Sequence, residues 1–300
     1  MWLNPIVKKD VKVQSRSMKI CFGVLAYELI LALVFFLAMF IIQENSTYYT
    51  DNIYSDLVGL YPVLAITQFV ILGVIVPVRT ASAISGEKER QTFDIMMTTA
   101  MTPFSVITGK VMTAIVQSML FIAASLPIMA LSFVVGGMSW SYLFWFFAIA
   151  LLISIFSASI GILCSSLCKK SVSAVIMSYG VYLIFFIGTL VPSVLYEIYR
   201  SNYWYYGSSV QNGYSYGENI ALTLLLNPAV YLAEFVTLVM TGESIFNTID
   251  MTGVGGPIRF LAGGNRWIIT STILFLAVSF LFLRLAARRI DPVRKRIKKR

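Results

Sequence analysis

The hydrophobic residues of this chain form long, nearly uninterrupted runs instead of the short periodic patterns of a soluble domain. About 20 residues, at 1.5 Å each, cross the roughly 30 Å hydrocarbon core of a bilayer. Six runs approach or reach that length, and they predict spans at 20–42, 57–78, 111–135, 140–167, 172–195 and 267–283. The pattern therefore predicts an all-α integral membrane protein with six transmembrane helices.

The basic residues predict how these spans are oriented. Of the 23 Lys and Arg, 20 lie in the N-terminal tail, after the second and fourth spans, or in the C-terminal tail. With six spans these segments share one side, and cytoplasmic loops carry the excess of Lys and Arg. We predict cytoplasmic termini and a multi-pass location in the bacterial cytoplasmic membrane. The net charge of +9 then serves topology and contact with membrane lipid, and we expect no nucleic-acid partner.

No internal repeat divides the chain, so we predict a single transmembrane domain over residues 1–300. Its parts are a cytoplasmic interfacial segment at 1–19, spans one to five within 20–195, an extracytoplasmic loop at 196–266, the sixth span at 267–283 and a basic cytoplasmic tail at 284–300. The division follows from the positions of the spans alone.

The segment 220–240 is apolar and long enough to cross, yet we predict that it does not. Asn227, Pro228 and Glu234 lie near its middle. An acidic residue at mid-membrane depth costs roughly 2.5–3.5 kcal/mol, and proline breaks a helix. A seventh crossing would also move the basic C-terminal tail outside. We predict a broken pair of short helices that lies in the outer face or re-enters from it, shielded by protein or water.

The composition excludes most catalytic and metal chemistry. The chain has no His, which removes most acid–base triads, zinc sites and haem ligation. The GYSYG run at 213–217 lacks the strand, the helix and the His that a nucleophile elbow requires. Cys164 and Cys168 share a helix face, but no nearby His or acid completes a metal site. We predict no catalytic residue and no metal site.

Glu28 is the one ionisable residue deep in a predicted span. Such a carboxylate faces a bundle interior or an aqueous path, so Glu28, Gln68 and Gln117 form a possible translocation path. The alternative is an ordinary hydrogen bond from Glu28 to either glutamine, worth about 0.6 kcal/mol. The sequence leaves both open. A stand-alone secondary transporter or channel that uses Glu28 in the membrane is accordingly the alternative function.

The connection 84–110 carries the most specific pattern. Its apolar positions at helical spacing are Phe93, Met96, Met97, Ala100 and Met101. This stripe predicts a short amphipathic helix between the second and third spans. We place Glu87 and Glu89 in its first turn, where the helix dipole favours acids. Thr102 and Pro103 predict the N-cap and first residue of the following helix.

The same stretch, ISGEKERQTFDIMMTTAMTPFSVITGK, closely resembles the signature of type-two ABC transporter permeases, a Ser-Gly-Glu-Lys/Arg-Glu-x-Gly-Thr run before a Leu-rich helix and a Thr-Pro turn. Gln91 stands where that signature has Gly. The segment 4–19 is similar to the family's Asn-Pro-x-x-x-Lys/Arg-Glu opening, with Asp10 in the acidic place. LNPAVYLAEF at 226–235 resembles its Asn-Pro-aromatic element. The three matches occur in the family's order and cover essentially the whole chain.

The resemblance implies a membrane-spanning permease subunit, with export the commoner direction. Such a subunit dimerises with itself or a paralogous permease and uses ATP, with Mg, bound by a separate ABC ATPase subunit. The helix between spans two and three would be its coupling helix. We carry the ATPase contact onto Glu87, Lys88, Glu89, Arg90, Thr92, Asp94 and Thr98. The helix would pack through Phe93, Met96, Met97, Ala100 and Met101.

The resemblance also makes the N-terminal segment a connecting helix at the membrane surface. Its basic stripe consists of Lys8, Lys12, Arg16 and Lys19. The length of the loops agrees that the ATPase lies elsewhere, since the longest cytoplasmic loop, 79–110, is far shorter than the roughly 100–200 residues of a domain. We therefore expect no cofactor in this chain and no enzymatic activity of its own.

Overall fold

The computed structural model describes residues 5–48, 57–93, 95, 102–135, 140–206, 222–245, 261 and 265–290. Within these ranges the regular structure is helical, with eight α-helices and no strand. The helices are α1 (Pro5–Ser15), α2 (Met18–Tyr48), α3 (Leu60–Glu89), α4 (Pro103–Val135), α5 (Trp140–Leu167), α6 (Ser171–Tyr206), α7 (Pro228–Thr241) and α8 (Arg266–Ile290).

Six of these helices, α2 to α6 and α8, are long and apolar enough to cross a membrane. Each corresponds to one predicted span, so the predicted all-α fold with six spans is confirmed. The helices extend beyond the apolar runs, because polar residues continue a helix once it has begun. Helix α3, for example, passes the predicted end of the second span at Val78 and finishes at Glu89.

The chain divides into two compact units, of which the first comprises Met1–Tyr179 and Val278–Arg300. Helix α5 is central to this unit, since 72% of its most apolar window is buried. One apolar cluster joins α2, α3, α4 and α5 through Tyr27, Leu72, Phe121 and Ala158, among others. A second cluster lies where α3 ends and α4 begins. Its buried members are Ile84, Ile107, Val111, Ile162, Ala286 and Ile290.

Helices α3 and α5 approach each other closely because small residues line their contact. A Cβ built on Gly161 would overlap Thr80 Oγ1 and lie 2.9 Å from Thr80 Cβ. One turn further along α5, Ser165 Oγ accepts hydrogen bonds from two consecutive α3 amides, those of Ile84 (2.9 Å) and Ser85 (2.8 Å). Small interface residues and interhelical hydrogen bonds are the usual means of helix association in membranes.

The second unit comprises Gly180–Ala277. Near the predicted break at Asn227 and Pro228, a 3₁₀ turn at 222–226 precedes α7, and Asn227 is the N-cap of α7. The Asn227 side chain accepts from the Ala229 amide at 2.8 Å and donates to the Phe186 carbonyl of α6 at 2.8 Å. With 14 residues, α7 covers about 21 Å and is too short to cross. Its placement in the outer face stays a prediction.

Glu234, the acid that argued against a seventh crossing, is fully buried within the second unit. Its Oε2 accepts a hydrogen bond of 3.0 Å from the Ile245 amide and thereby holds the loop that follows α7. That loop begins at Gly242, whose φ of 76° is left-handed and suits glycine. Burial raises the pKa of Glu234, and the hydrogen bonds from Ser244 and Ile245 oppose this effect.

Candidate functional site

The segment Ser85 to Glu89, here the SGEKE segment, forms the last turns of α3. The expectation that Glu87 and Glu89 begin a separate helix is therefore wrong. Helix α3 continues because no proline interrupts it after Pro77, and it finishes at the C-cap Arg90. The Thr92 amide bonds to the Glu87 carbonyl at 3.0 Å and the Gln91 amide to the Lys88 carbonyl at 3.2 Å. This is the Schellman pattern of a helix C-terminus.

Gln91 occupies the C′ position of this pattern with a φ of 59°. In the described part of the chain it is the one non-glycine residue with a positive φ. Left-handed backbone costs an L-residue roughly 1–2 kcal/mol, and glycine escapes that cost. The position is the same one at which the resembled signature has Gly, so the geometry explains the glycine of the signature.

The ammonium group of Lys110 joins three helices by pairing with Glu87 and Asp10. Lys110 Nζ, near the start of α4, lies 2.7 Å from Glu87 Oε1 and 3.0 Å from Asp10 Oδ2 of α1. The Lys110 side chain is only 10% exposed, so these ion pairs are partly shielded from water. Two segments that carry the family resemblance, the opening and the SGEKE segment, thus meet at Lys110.

Lys88 caps the end of α5. Its Nζ donates to the carbonyls of Ser166 at 2.5 Å, Cys168 at 3.1 Å and Ser165 at 3.3 Å. These carbonyls lack intrahelical partners because they lie in the last turn of α5 or just beyond it. The same ammonium lies 5.8 Å from the centre of the Phe93 ring. A cation at this end also interacts favourably with the negative pole of the helix dipole.

Glu89 caps the beginning of α6. Its Oε2 accepts from the Ser171 hydroxyl at 2.8 Å and from the Ser171 amide at 3.2 Å. Ser171 is the first residue of α6, where backbone N–H groups are unpaired and the dipole favours an anion. Three consecutive charged residues at the end of α3 therefore contact α4, α5 and α6, each through a different group, and Lys110 links the first of these contacts to α1.

A cleft of about 790 Å³ opens beside these contacts. Its lining residues are Lys9, Ser82, Gly86, Glu87, Glu89, Arg90, Thr92 and Ser171. Arg90 and Thr92 are exposed and lie just past the end of α3, so they are accessible to a partner. The lining carries both signs of charge, with Lys9 and Arg90 beside Glu87 and Glu89.

Other residues of the predicted contact and packing face lie partly outside the described ranges. Phe93 packs against the cluster around Ile84 and Ile107. The residues outside the described ranges are Asp94, Met96, Met97, Thr98, Ala100 and Met101. Thr102 is the predicted N-cap: its Oγ1 accepts from the Ser105 amide at 3.3 Å, and Pro103 begins α4. That prediction is confirmed.

The basic residues of the N-terminal segment are all exposed. Two members of the predicted stripe, Lys8 and Lys12, lie on the 11-residue helix α1, as does Lys9. Val7 of the same helix is buried, so α1 packs through one face and presents its lysines on another. The two remaining members of the stripe, Arg16 and Lys19, follow at and after the short break before α2.

The three residues of the possible translocation path do not form hydrogen bonds with one another. Glu28 Oε1 is buried without a partner among the described residues. Gln68 is fully buried, and its Oε1 accepts from Ser125 Oγ at 3.2 Å. Gln117 lines a narrow groove beside Arg79. The hydrogen bond considered as an alternative for Glu28 is therefore not seen.

Sequence reasoning missed the partners of the SGEKE charges, which are Lys110, Ser165 and Ser171. Lys110 gave a usable signal, because a charge at the start of an apolar run needs a counter-ion. The two serines gave none: buried serines like Ser165 occur throughout α5, and Ser171 is one of several polar residues between two predicted spans. Their role depends on which helix ends meet, and that is a tertiary property.

Six apolar helices that each suffice to cross a bilayer define a multi-pass membrane protein. The family description "ABC-2 family transporter protein" matches residues 4–254, a range that contains all three segments of the family resemblance. The chain belongs to this family, whose members are membrane subunits of ABC transporters and normally work with an ATPase subunit. No curated protein sequence matches the chain.

Proposed function

We propose that this chain is the permease subunit of an ABC exporter in the bacterial cytoplasmic membrane. A separate ATPase subunit binds ATP and Mg and acts on the permease through residues 84–102, on the cytoplasmic side. Membership of the ABC-2 family supports the assignment to transport. The position of most basic residues at one end of the spans supports the orientation.

The contacts of the SGEKE segment carry the proposal. A force applied at the end of α3 reaches α4 through Glu87, α5 through Lys88 and α6 through Glu89. Charge-assisted hydrogen bonds are short and directional, so they transmit displacement better than loose apolar contacts. A nucleotide-driven movement of one docked partner would therefore be distributed to several spans at once.

The polar cleft supplies a surface for that partner. Arg90, Thr92 and Lys9 are exposed at its rim, whereas Glu87 and Glu89 are occupied by contacts within the chain. In this arrangement the exposed residues bind the ATPase subunit and the two glutamates position the helix ends. The predicted contact set is thereby divided into docking residues and positioning residues.

A second permease chain completes the transporter in this proposal. Only 11% of the most apolar window of α2 is buried within the chain. Large side chains recur on its surface at helical spacing, with Phe22 68%, Phe36 70% and Phe40 61% exposed. Lipid or a second permease chain covers such a face, and a two-chain assembly would place paired bundles around one path.

The docking role can be tested with a charge reversal that spares the internal contacts. Arg90→Glu should release the ATPase subunit during copurification and abolish the stimulation of its ATPase activity by the permease. Arg288→Glu is the control, because Arg288 is exposed near the end of α8 and lies outside the cleft. Equal ATPase recovery from both variants would remove the support for docking at this cleft.

The alternative function predicts a different result. A stand-alone transporter or channel would move solute in vesicles that contain this chain alone, and Glu28→Gln would abolish that flux. Flux without the ATPase subunit, together with dependence on Glu28, would replace the present proposal. We expect none until the ATPase subunit and ATP are added.

A further inference from the structure

Arg79 directly follows the predicted second span, within α3, and has no counter-ion among the described residues. Its side chain is half-buried, and neither ion pair of the described chain includes it. The guanidinium instead lies over the Phe121 ring, 5.7 Å from the ring centre. A ring face offsets only part of the cost of removing a guanidinium from water. An anion that approaches the guanidinium would offset the remainder of that cost.

Arg79 lines a narrow groove between α3 and α4. The other lining residues are Ile75, Val76, Thr80, Ala114, Gln117, Ser118 and Phe121. None of them is acidic. The Thr80 and Ser118 hydroxyls already donate to the carbonyls of Val76 and Ala114, at 2.9 and 3.1 Å. Among the lining residues, Arg79 and Gln117 are the two that carry side-chain N–H donors.

The position of the groove relative to the membrane indicates what kind of anion reaches it. Arg79 lies about 28 Å along α3 from Leu60, close to the roughly 30 Å thickness of the hydrocarbon core. The Glu87–Lys110 pair is about 12 Å further along the helix. Exposed apolar side chains flank the groove, with Val78 40%, Val116 39% and Met112 49% exposed. A ligand here meets charge at one end and apolar surface at the other.

We infer that this groove binds the phosphate group of a phospholipid from the leaflet on the SGEKE side. Guanidinium matches phosphate in a bidentate fork, and the Gln117 amide supplies a further donor. The space inside the groove is about 10 Å³, enough for one oxygen atom or water. The phosphate therefore lies across the mouth with one oxygen inside, and its acyl chains follow the exposed face of Val116 and Met112.

The experiment compares a whole phospholipid with its acyl-chain part and its phosphate part, each added alone. The full chain is purified in detergent, and its melting temperature and retained lipid are measured with added phosphatidylglycerol, diacylglycerol or glycerol 3-phosphate. We expect phosphatidylglycerol alone to raise the melting temperature of the wild type. Arg79→Gln should lose at least half of this gain. Arg284→Gln is the matched control, since Arg284 is exposed and lies at a similar depth, about 27 Å along α8.

Gln117→Leu covers the case in which the arginine variant does not fold, because it keeps Arg79 and alters only the second donor. Native mass spectrometry should show at least twofold less retained phosphatidylglycerol for this variant than for the wild type. An unchanged gain in both groove variants would overturn the inference. An equal gain from diacylglycerol would show that only the acyl chains bind, and an equal gain from glycerol 3-phosphate would exclude lipid as the source of the phosphate.

Discussion

At the scale of single residues, the end of α3 shows how one short run of charges serves several helices. Glu87, Lys88 and Glu89 are neighbours in sequence, yet they contact three different helix ends. Successive residues of a helix point about 100° apart, so consecutive charges reach in different directions. Each of these three positions therefore needs a charged side chain for its own contact with a neighbouring helix.

The first prediction concerns Gln91. Replacing it with Gly removes a backbone strain of roughly 1–2 kcal/mol that comes from the left-handed conformation. Glycine also raises the conformational entropy of the unfolded chain, which destabilises the folded state by about 0.4–1 kcal/mol. We expect Gln91→Gly to stabilise the protein by about 0.5–1 kcal/mol, read as a higher melting temperature in detergent. Gln91→Ala is the control, since it shortens the side chain and keeps the strain. If Ala stabilises as much as Gly, backbone strain at this position is not the cause.

The second prediction concerns the pair of Glu87 and Lys110. Lys110 Nζ lies 2.7 Å from Glu87 Oε1, and both side chains are partly shielded from water. Glu87→Lys places two ammonium groups together and should cost about 1–3 kcal/mol of stability. The double variant Glu87→Lys with Lys110→Glu should recover part of the loss in a thermal-unfolding cycle. Additive effects of the two changes would show that the pair contributes nothing.

At the scale of helices, small residues decide how closely α3 and α5 pack. Thr80 and Gly161 fit together only because Gly161 has no Cβ. One turn further along α5, the Ser165 hydroxyl oxygen accepts hydrogen bonds from two backbone amides of α3. A side chain bonded in this way locally alters a helix, which makes this contact specific to one register of the two helices.

The third prediction tests that close approach. Gly161→Ala forces α3 and α5 apart and should cost about 1–3 kcal/mol, because the atoms it meets include backbone and a short side chain. Gly180→Ala is the control: a Cβ there meets nothing within 4 Å, and alanine favours the helix by about 1 kcal/mol. The two melting temperatures should shift in opposite directions. A neutral Gly161→Ala would mean that the helices are not tightly packed at this point.

At the scale of the whole molecule, much of the architecture follows from the sequence. Runs of apolar residues predict the six spans, and Asn227 with Pro228 predicts the break before α7, since both signals are local. The end of α3 could not be predicted in the same way. Polar residues after Val78 look like a loop, while the partners that stabilise them, Lys110 and Ser171, come from other helices. The resemblance pointed to this segment of the sequence but gave no account of its contacts.

The most direct test of the proposed function is whether the ATPase subunit lies against the cleft. A photoreactive phenylalanine analogue in place of Arg90 should cross-link the ATPase subunit in native membranes. The same analogue in place of Val134 is the control, because Val134 is 65% exposed and lies about 46 Å along α4 from Pro103. Cross-linking from position 90 alone is the predicted result. Cross-linking from position 134, or from neither position in an active complex, would contradict the account.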